Sequence, residues 1–85
     1  MRPAERALAA LMVRTLQLET QPDAIAPDAP LFGEGLGLDS IDALELSLAI
    51  SREYGLELRS DDERNGRIFQ SLRSLTDHVE AHRTR

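Results

Sequence analysis

The chain of 85 residues contains no cysteine and no tryptophan, its ten Lys or Arg residues are all arginine, and aromatic residues make up 4% of it. Without cysteine, the sequence excludes a disulfide scaffold, a thiolate zinc site and a thiol nucleophile. No apolar run approaches the ~20 residues needed to span a membrane. The N-terminal stretch is amphipathic and lacks the apolar core of a signal peptide. We therefore expect a cytoplasmic protein with no membrane span.

The remaining composition suits one small globular domain over residues 1–85. Hydrophobic residues make up 41% of the chain, which is too large a fraction for a disordered polypeptide. A chain of this length buries one modest core and has little room to enclose a deep catalytic cleft as well.

The net charge of -5 is unevenly distributed. Residues 19–63 contain 12 acidic residues and two arginines, whereas the segments on either side are net basic. Because so acidic a segment repels phosphate backbones, we expect no binding of nucleic acid. The acidity suits a partner with a basic patch, although acidic surfaces also simply keep small proteins soluble.

Hydrophobic periodicity predicts a first helix over about residues 4–18, followed by a long loop. Small and apolar residues recur there at three- and four-residue steps. The face that they form consists of Ala4, Leu8, Leu11, Met12, Thr15 and Leu18. From Glu19 to Leu38 the pattern stops, since three prolines exclude a continuous helix. The apolar residues that could anchor this loop are Leu31, Phe32, Leu36 and Leu38.

The second and last helices have clear start signals. Asp39 is a good N-cap for a helix that begins at about Ser40 and ends before Gly55. Ser71 can cap a last helix that runs to about His82. Residues 56–58 are expected to be extended, and residues 61–69 to form a weak, short helix interrupted by a glycine. The predicted inward face of the last helix is Leu72, Leu75, Thr76 and Val79. No segment alternates in the manner of a strand, so the fold class is all-α.

The second helix carries two apolar faces where packing in a bundle needs only one. Its core stripe consists of Ala43, Leu46, Ile50 and Tyr54. Ile41, Leu44 and Leu48 lie on the opposite face, bordered by acidic residues. Such a strip has the composition of a docking surface, with apolar contact for affinity and acids for steering. The alternative is that these residues pack under the long loop as additional core.

Ser40 would lie at the first turn of this helix with its hydroxyl exposed. It lacks the G-x-S-x-G context of a nucleophile, and the two histidines, His78 and His82, belong to the last helix. We therefore expect Ser40 to be modified by another enzyme rather than to catalyse. The helix dipole would favour a phosphodiester there, whereas Asp39 and Asp42 would oppose it.

Residues 37–46 read Gly-Leu-Asp-Ser-Ile-Asp-Ala-Leu-Glu-Leu. This segment resembles the signature of acyl carrier proteins, an acid-rich Gly-Leu-Asp-Ser motif followed by an apolar helix. The resemblance covers nearly the whole chain, including the Pro- and Gly-rich loop and the Ser71-Leu72 start of the last helix. It implies an acyl-carrier-protein-like four-helix bundle with three longer helices, one short helix and a long first loop.

The resemblance also implies a function. In this family a phosphopantetheinyl transferase moves 4′-phosphopantetheine from coenzyme A onto a serine, which matches Ser40, and the arm's thiol then carries acyl groups as thioesters. The chain would then be a monomeric carrier and not an enzyme. Its further partners would be a ketosynthase, an acyltransferase or ligase, a reductase and a dehydratase of fatty acid, polyketide or aryl-polyene biosynthesis. The residues that match the family's partner-recognition helix are Asp39, Ile41, Asp42, Leu44, Glu45 and Leu48.

The sequence departs from the family pattern before the Gly-Leu-Asp-Ser motif, and Leu72 and Leu75 are also large for their positions in it. Gly35 stands where the family usually has an acid before the Gly-Leu-Asp-Ser motif, which implies a looser loop. Residues 67–75 and 32–35 are similar to stand-alone carriers of aryl-polyene and related polyketide clusters. The absence of a Gly-Gly-x-Ser motif argues against a peptidyl carrier.

Two other functions are consistent with parts of the sequence. An unmodified acidic helical interaction domain would also display an apolar strip, and there Ser40 would be dispensable. A metal module would use Asp39 and Asp42, the acidic run 61–63 or the His78/His82 pair. None of these matches the ligand spacing of a calcium loop or a zincin, so we expect no specific metal site.

Overall fold

The structure, a computed structural model, describes residues 2–32, 37–58 and 65–84. Within these ranges the chain forms α1 (Pro3–Leu16), a short 3-10 helix (Pro22–Ala24), α2 (Ser40–Tyr54), α3 (Asn65–Ile68) and α4 (Leu72–His82). The same ranges contain no strand, only two isolated β-bridges. The predicted all-α class, with three longer helices, one short helix and a long first loop, is confirmed.

The hydrophobic core lies where α1 packs against both α2 and α4. Fully buried side chains come from each of these helices and from the loop before α2. The core residues with the lowest exposure include Leu8, Met12, Leu31, Leu46, Ile50, Leu72 and Leu75. Burying each such side chain stabilises the fold by roughly 1.5–3 kcal/mol.

The first helix ends two residues before its predicted limit. Gln17 adopts the left-handed conformation, with φ 52° and ψ 48°. The amide of Leu18 then reaches back to the carbonyl of Val13, at 3.1 Å, and this contact closes the last turn. Leu18 still packs on the core although it lies outside the helix. Of the predicted face, Leu8, Leu11 and Met12 are buried.

The long loop is anchored by apolar residues, as expected. Leu31 is fully buried, Leu38 is nearly so, and Phe32 packs on the core, with its ring centroid 6.4 Å from that of Phe69. The fourth expected anchor, Leu36, and the neighbouring glycines 33 and 35 lie outside the described residues.

The last helix follows its prediction closely. Ser71 caps it by accepting a hydrogen bond from the amide of Ser74, and it ends at His82. All four residues of the predicted inward face are buried. The hydroxyl of Thr76 has no hydrogen-bond partner among the described residues, an arrangement that costs about 1–3 kcal/mol for a buried polar group. Of the predicted short helix, Asn65–Ile68 is helical and continues through Gly66, so the expected interruption at this glycine is wrong, and residues 61–64 lie outside the described part.

Residues 83 and 84, which follow α4, contact the C-terminal end of α2. Gly55 ends α2 in the left-handed conformation, as predicted. The amide of Thr84 donates to the carbonyl of Tyr54 at 2.9 Å, and its hydroxyl donates to the carbonyl of Gly55 at 2.6 Å. The guanidinium of Arg83 lies 4.7 Å from the centre of the Tyr54 ring. The two hydrogen bonds of Thr84 satisfy carbonyl groups that the end of a helix leaves without partners.

One buried charge was not expected from the sequence. The carboxylate of Glu5, in the first turn of α1, is completely buried. It accepts a hydrogen bond from the amide of Arg2 at 2.8 Å, and the guanidinium groups of Arg2 and Arg73 lie 3.3 and 3.4 Å away. The Arg2 amide above all, and then the two arginines, lower the pKa of Glu5 against the opposing effect of burial.

This lowered pKa predicts an acid-sensitive contribution to stability. Because the pKa of Glu5 is lower in the folded state than its ordinary value of 4.5, its stabilising contribution is complete above that pH. The contribution is lost as the pH falls through the folded-state pKa. The difference in melting temperature between the wild type and Glu5→Gln should therefore shrink from about pH 7 to about pH 3. Thermal unfolding followed by circular dichroism at each pH measures this difference. A difference in melting temperature that does not change with pH would contradict the lowered pKa of Glu5.

Candidate functional site

The start of α2 is fixed by a reciprocal pair of hydrogen bonds. The carboxylate of Asp39 accepts from the amide of Asp42 at 2.9 Å, and the carboxylate of Asp42 accepts from the amide of Asp39 at 3.1 Å. The carbonyl of Asp39 accepts the first intrahelical bond, from Ala43, at 3.0 Å. This capping box confirms Asp39 as the N-cap and leaves Ser40 as the first residue of the helix.

The turn that leads into this cap requires a glycine. Gly37 has a φ of 72°, a left-handed conformation that any side chain with a Cβ atom would strain. The next residue, Leu38, is buried, and its amide donates to the carbonyl of Leu31 at 3.2 Å. The sequence motif included Gly37, but only the structure gives it this conformational role. Ser40 therefore follows a buried anchor by two residues.

Ser40 itself is exposed, as predicted. Within the described residues its hydroxyl forms no hydrogen bond. A serine nucleophile needs a base that takes its proton. No described side chain is hydrogen-bonded to the Ser40 hydroxyl in that role. The amides of Ser40 and Ile41 are likewise without partners in the described part, as is usual in the first turn of a helix. The site offers a free hydroxyl beside free amides, which suits an attached phosphate.

The second apolar face of α2 is exposed. We call Ile41, Leu44 and Leu48 the apolar strip; their exposed fractions are 66%, 50% and 57%. The alternative that they pack under the loop is therefore wrong for all three. On the opposite face Leu46 and Ile50 are fully buried, while Ala43 and Tyr54 are partly buried. An exposed strip of this kind, directly after Ser40, is suited to contact with another protein.

Acidic side chains border the apolar strip at the Ser40 end of α2. Asp39 and Glu45 are exposed, and Asp42 is half-buried. Glu45 forms no ion pair within the described residues, so its charge is available to a partner. Ser47 lies on the buried side of the helix, where its hydroxyl donates to the carbonyl of Ala43 at 2.8 Å.

The candidate metal ligands do not form a site in the described part of the chain. No three His, Asp or Glu side chains are grouped there as a metal ion would require. Asp39 and Asp42 are engaged with each other's amides. The rings of His78 and His82 contact each other at a tilt of 42°, with centroids 4.4 Å apart. The acidic run 61–63 lies outside the described residues.

Comparisons with known proteins agree with the sequence motif. Residues 6–79 match the family model described as the phosphopantetheine attachment site. The chain is 32% identical over 56 residues to the acyl carrier protein of Thermosynechococcus vestitus, a match that covers 66% of this chain and 68% of that protein. It is 41% identical over 46 residues to the acyl carrier protein of Nitratidesulfovibrio vulgaris strain Miyazaki F, covering 54% of this chain and 59% of that protein. The matched region thus spans less than two thirds of the second relative.

Two solved structures resemble the fold. Both are complexes of an engineered Bradyrhizobium japonicum glycine:[carrier protein] ligase with a carrier protein from Agrobacterium tumefaciens, one with AMP and one with ATP. Both matches have a TM-score of 0.72, with identities of 28% and 27%. They cover 89% and 92% of this chain and 97% of the matched chain. Because the match covers nearly all of both chains, the matched chain is about as long as this one. It is therefore the carrier protein of each complex and not the ligase.

Among the described helices, none is both long and apolar enough to cross a bilayer.

Proposed function

Because the chain belongs to the acyl carrier protein family, whose cofactor is covalently attached 4′-phosphopantetheine, we propose that Ser40 is the attachment residue. The observation that carries this proposal is the exposure of Ser40 at the first position of α2, where its hydroxyl has no hydrogen-bond partner among the described residues. Ser40 also lies within the matched range. The family consists of carriers rather than catalysts, and the chain would act in the cytoplasm as a substrate of a phosphopantetheinyl transferase.

The residues around Ser40 fit a phosphodiester. The free amides of the first helical turn and the positive end of the helix dipole both favour a negative charge at this point. The carboxylates of Asp39 and Asp42 would oppose it, but each accepts a hydrogen bond from a backbone amide, which disperses part of its charge. The thiol at the end of the arm supplies the chemistry, since it binds acyl groups as thioesters.

We also propose that the apolar strip and its acidic border are the surface that partner enzymes contact. The strip supplies apolar area, and Asp39, Asp42 and Glu45 supply charges that attract a basic patch. The partners in this proposal are the transferase and the ketosynthase, acyltransferase or ligase, reductase and dehydratase of a fatty acid, polyketide or aryl-polyene pathway. An unmodified interaction domain would use the same surface but would not need Ser40.

Intact mass after incubation with a broad-specificity phosphopantetheinyl transferase, magnesium and coenzyme A tests the attachment site. We expect the wild type to gain one phosphopantetheine and Ser40→Ala to gain none. The substitution should change the free energy of unfolding by less than about 0.5 kcal/mol, because an exposed hydroxyl without partners contributes little to folding. If a folded wild type gains no mass, or Ser40→Ala still gains it, the assignment of Ser40 is wrong.

Charge reversal at Glu45 tests the docking surface. Glu45→Lys should slow phosphopantetheinylation by about two- to tenfold at low ionic strength and less at high ionic strength, because salt screens exposed charges. Glu45 is the informative acid, since reversal of Asp42 would also break the capping box. Transfer rates at several salt concentrations measure the effect.

The matched control is Glu19→Lys, which makes the same charge change at an exposed position outside α2. It should leave the rate within about twofold of the wild type, since its charge lies outside the contact surface. Equal slowing by both variants would mean that net charge, and not the α2 surface, controls the rate.

A second candidate function is the transport of an amino acid. It is favoured by the two similar solved structures, in which the carrier is bound to a glycine:[carrier protein] ligase. In that case the group carried as a thioester would be an aminoacyl group, and the ligase would dock on the same face of α2. The fold and the site are equally suited to both cargoes, because the cargo is attached to the arm and not to the chain.

Loading of the modified chain distinguishes these cargoes. If the protein is an aminoacyl carrier, its phosphopantetheine form should gain the mass of one glycyl group when it is incubated with the B. japonicum ligase, ATP and glycine. The unmodified form should gain none. A fatty acyl ligase with ATP and a fatty acid is the parallel reaction. Loading by the fatty acyl ligase alone would contradict the aminoacyl candidate and leave the acyl carrier proposal in place.

A further inference from the structure

Arg73, the second residue of α4, joins three separate segments of the chain. Its guanidinium lies 3.4 Å from the buried carboxylate of Glu5 on α1 and 2.9 Å from the carboxylate of Asp28 in the long loop. Its backbone amide donates to the carbonyl of Pro27, also at 2.9 Å. The loop is therefore held by Arg73 through both its backbone and a side chain.

The residues that follow this contact lead directly to the attachment serine. Pro30 pairs with Ser71 in an isolated bridge, and the amide of Leu31 donates to the carbonyl of Gln70 at 3.2 Å. The carbonyl of Leu31 in turn accepts the amide of Leu38. Asp39, the first residue of the capping box, follows Leu38 directly, and Ser40 comes next. A continuous set of contacts thus runs from Arg73 to the start of α2.

The chemistry of the Arg73 contact requires an arginine. Glu5 is completely buried, and a buried carboxylate needs positive partners to remain charged, which Arg73 supplies together with Arg2. The planar guanidinium presents several donors, so it can serve Glu5 on its inner side and Asp28 on its outer side at once. A lysine presents one point charge and cannot reach both carboxylates with the same geometry.

We infer that Arg73 is a positioning residue for the modification of Ser40. It holds the loop against α4 so that Leu38, Asp39 and Ser40 are presented to the phosphopantetheinyl transferase in one arrangement. The inference rests on the proposed role of Ser40. Loss of the contact would leave the transfer step itself intact but would lower the fraction of molecules whose loop is in the arrangement that binds.

Transfer kinetics provide the first test, with Arg73→Gln as the variant. When only a fraction of the molecules is competent to bind, the apparent affinity falls by that fraction. We therefore expect KM for the carrier to rise about three- to tenfold while kcat stays within about twofold. Asp28→Asn, which removes the loop carboxylate but keeps Arg73 beside Glu5, should raise KM in the same direction by a smaller factor. Arg73→Lys should fall between the wild type and Arg73→Gln.

Amide hydrogen exchange measured by NMR provides the second test, which does not depend on the transferase. The amide of Leu38 should exchange about tenfold faster in Arg73→Gln, whereas the amide of Ile50, inside α2, should keep its protection. The matched control is Arg6→Gln, which removes an exposed ion pair with Asp23 in the same loop at 2.7 Å. It should leave both Leu38 exchange and KM unchanged, because that ion pair is outside the contacts that lead to Ser40.

The outcomes separate this inference from the proposed function. If Arg73→Gln and Asp28→Asn fold, by circular dichroism, and leave Leu38 exchange or KM unchanged, the inference is overturned and Ser40 remains the attachment site. Equal losses of protection at Leu38 and Ile50 would also overturn it, since they would show general destabilisation. A folded wild type that the transferase does not modify would overturn the proposed function, and the positioning role with it.

Discussion

Leu31 is the residue on which the path of the long loop depends. Its side chain is fully buried, its amide donates to the turn before α4, and its carbonyl accepts the amide of Leu38. Apart from the short 3-10 helix, the described part of the loop has no regular structure. Its position must therefore come from such single contacts with neighbouring elements, because unpaired backbone groups next to a core are costly.

The two faces of the second helix have different roles, one in the core and one at the surface. Leu46 and Ile50 contribute to the core, while Ile41, Leu44 and Leu48 remain in contact with solvent. The exposed part of the apolar strip contributes nothing to folding, since that area is not removed from water in the isolated chain. Its presence next to a free serine hydroxyl is consistent with a small domain whose chemistry takes place in the active sites of larger partners.

Much of this arrangement could be predicted from the sequence, because the signals are local. Asp39 and Ser71 are side chains that satisfy amides within their own first turn, and Gly55 supplies a left-handed residue without strain. The inward face of α4 follows from helical periodicity. The last turn of α1 was predicted too long because Gln17 takes a left-handed conformation that is unusual for a residue with a side chain.

The sequence by itself determined the three longer helices, the caps at Asp39, Gly55 and Ser71, the two faces of α2 and the serine at its start, since these depend mainly on residues close together along the chain. Only the tertiary structure decided that the apolar strip is exposed, because that depends on where the loop lies. It also decided that Glu5 is buried between Arg2 and Arg73. From the sequence alone, a glutamate in the first turn of a helix is expected to be exposed to solvent and to interact with the helix dipole. The burial of Glu5 depends on an arginine 68 residues further along the chain.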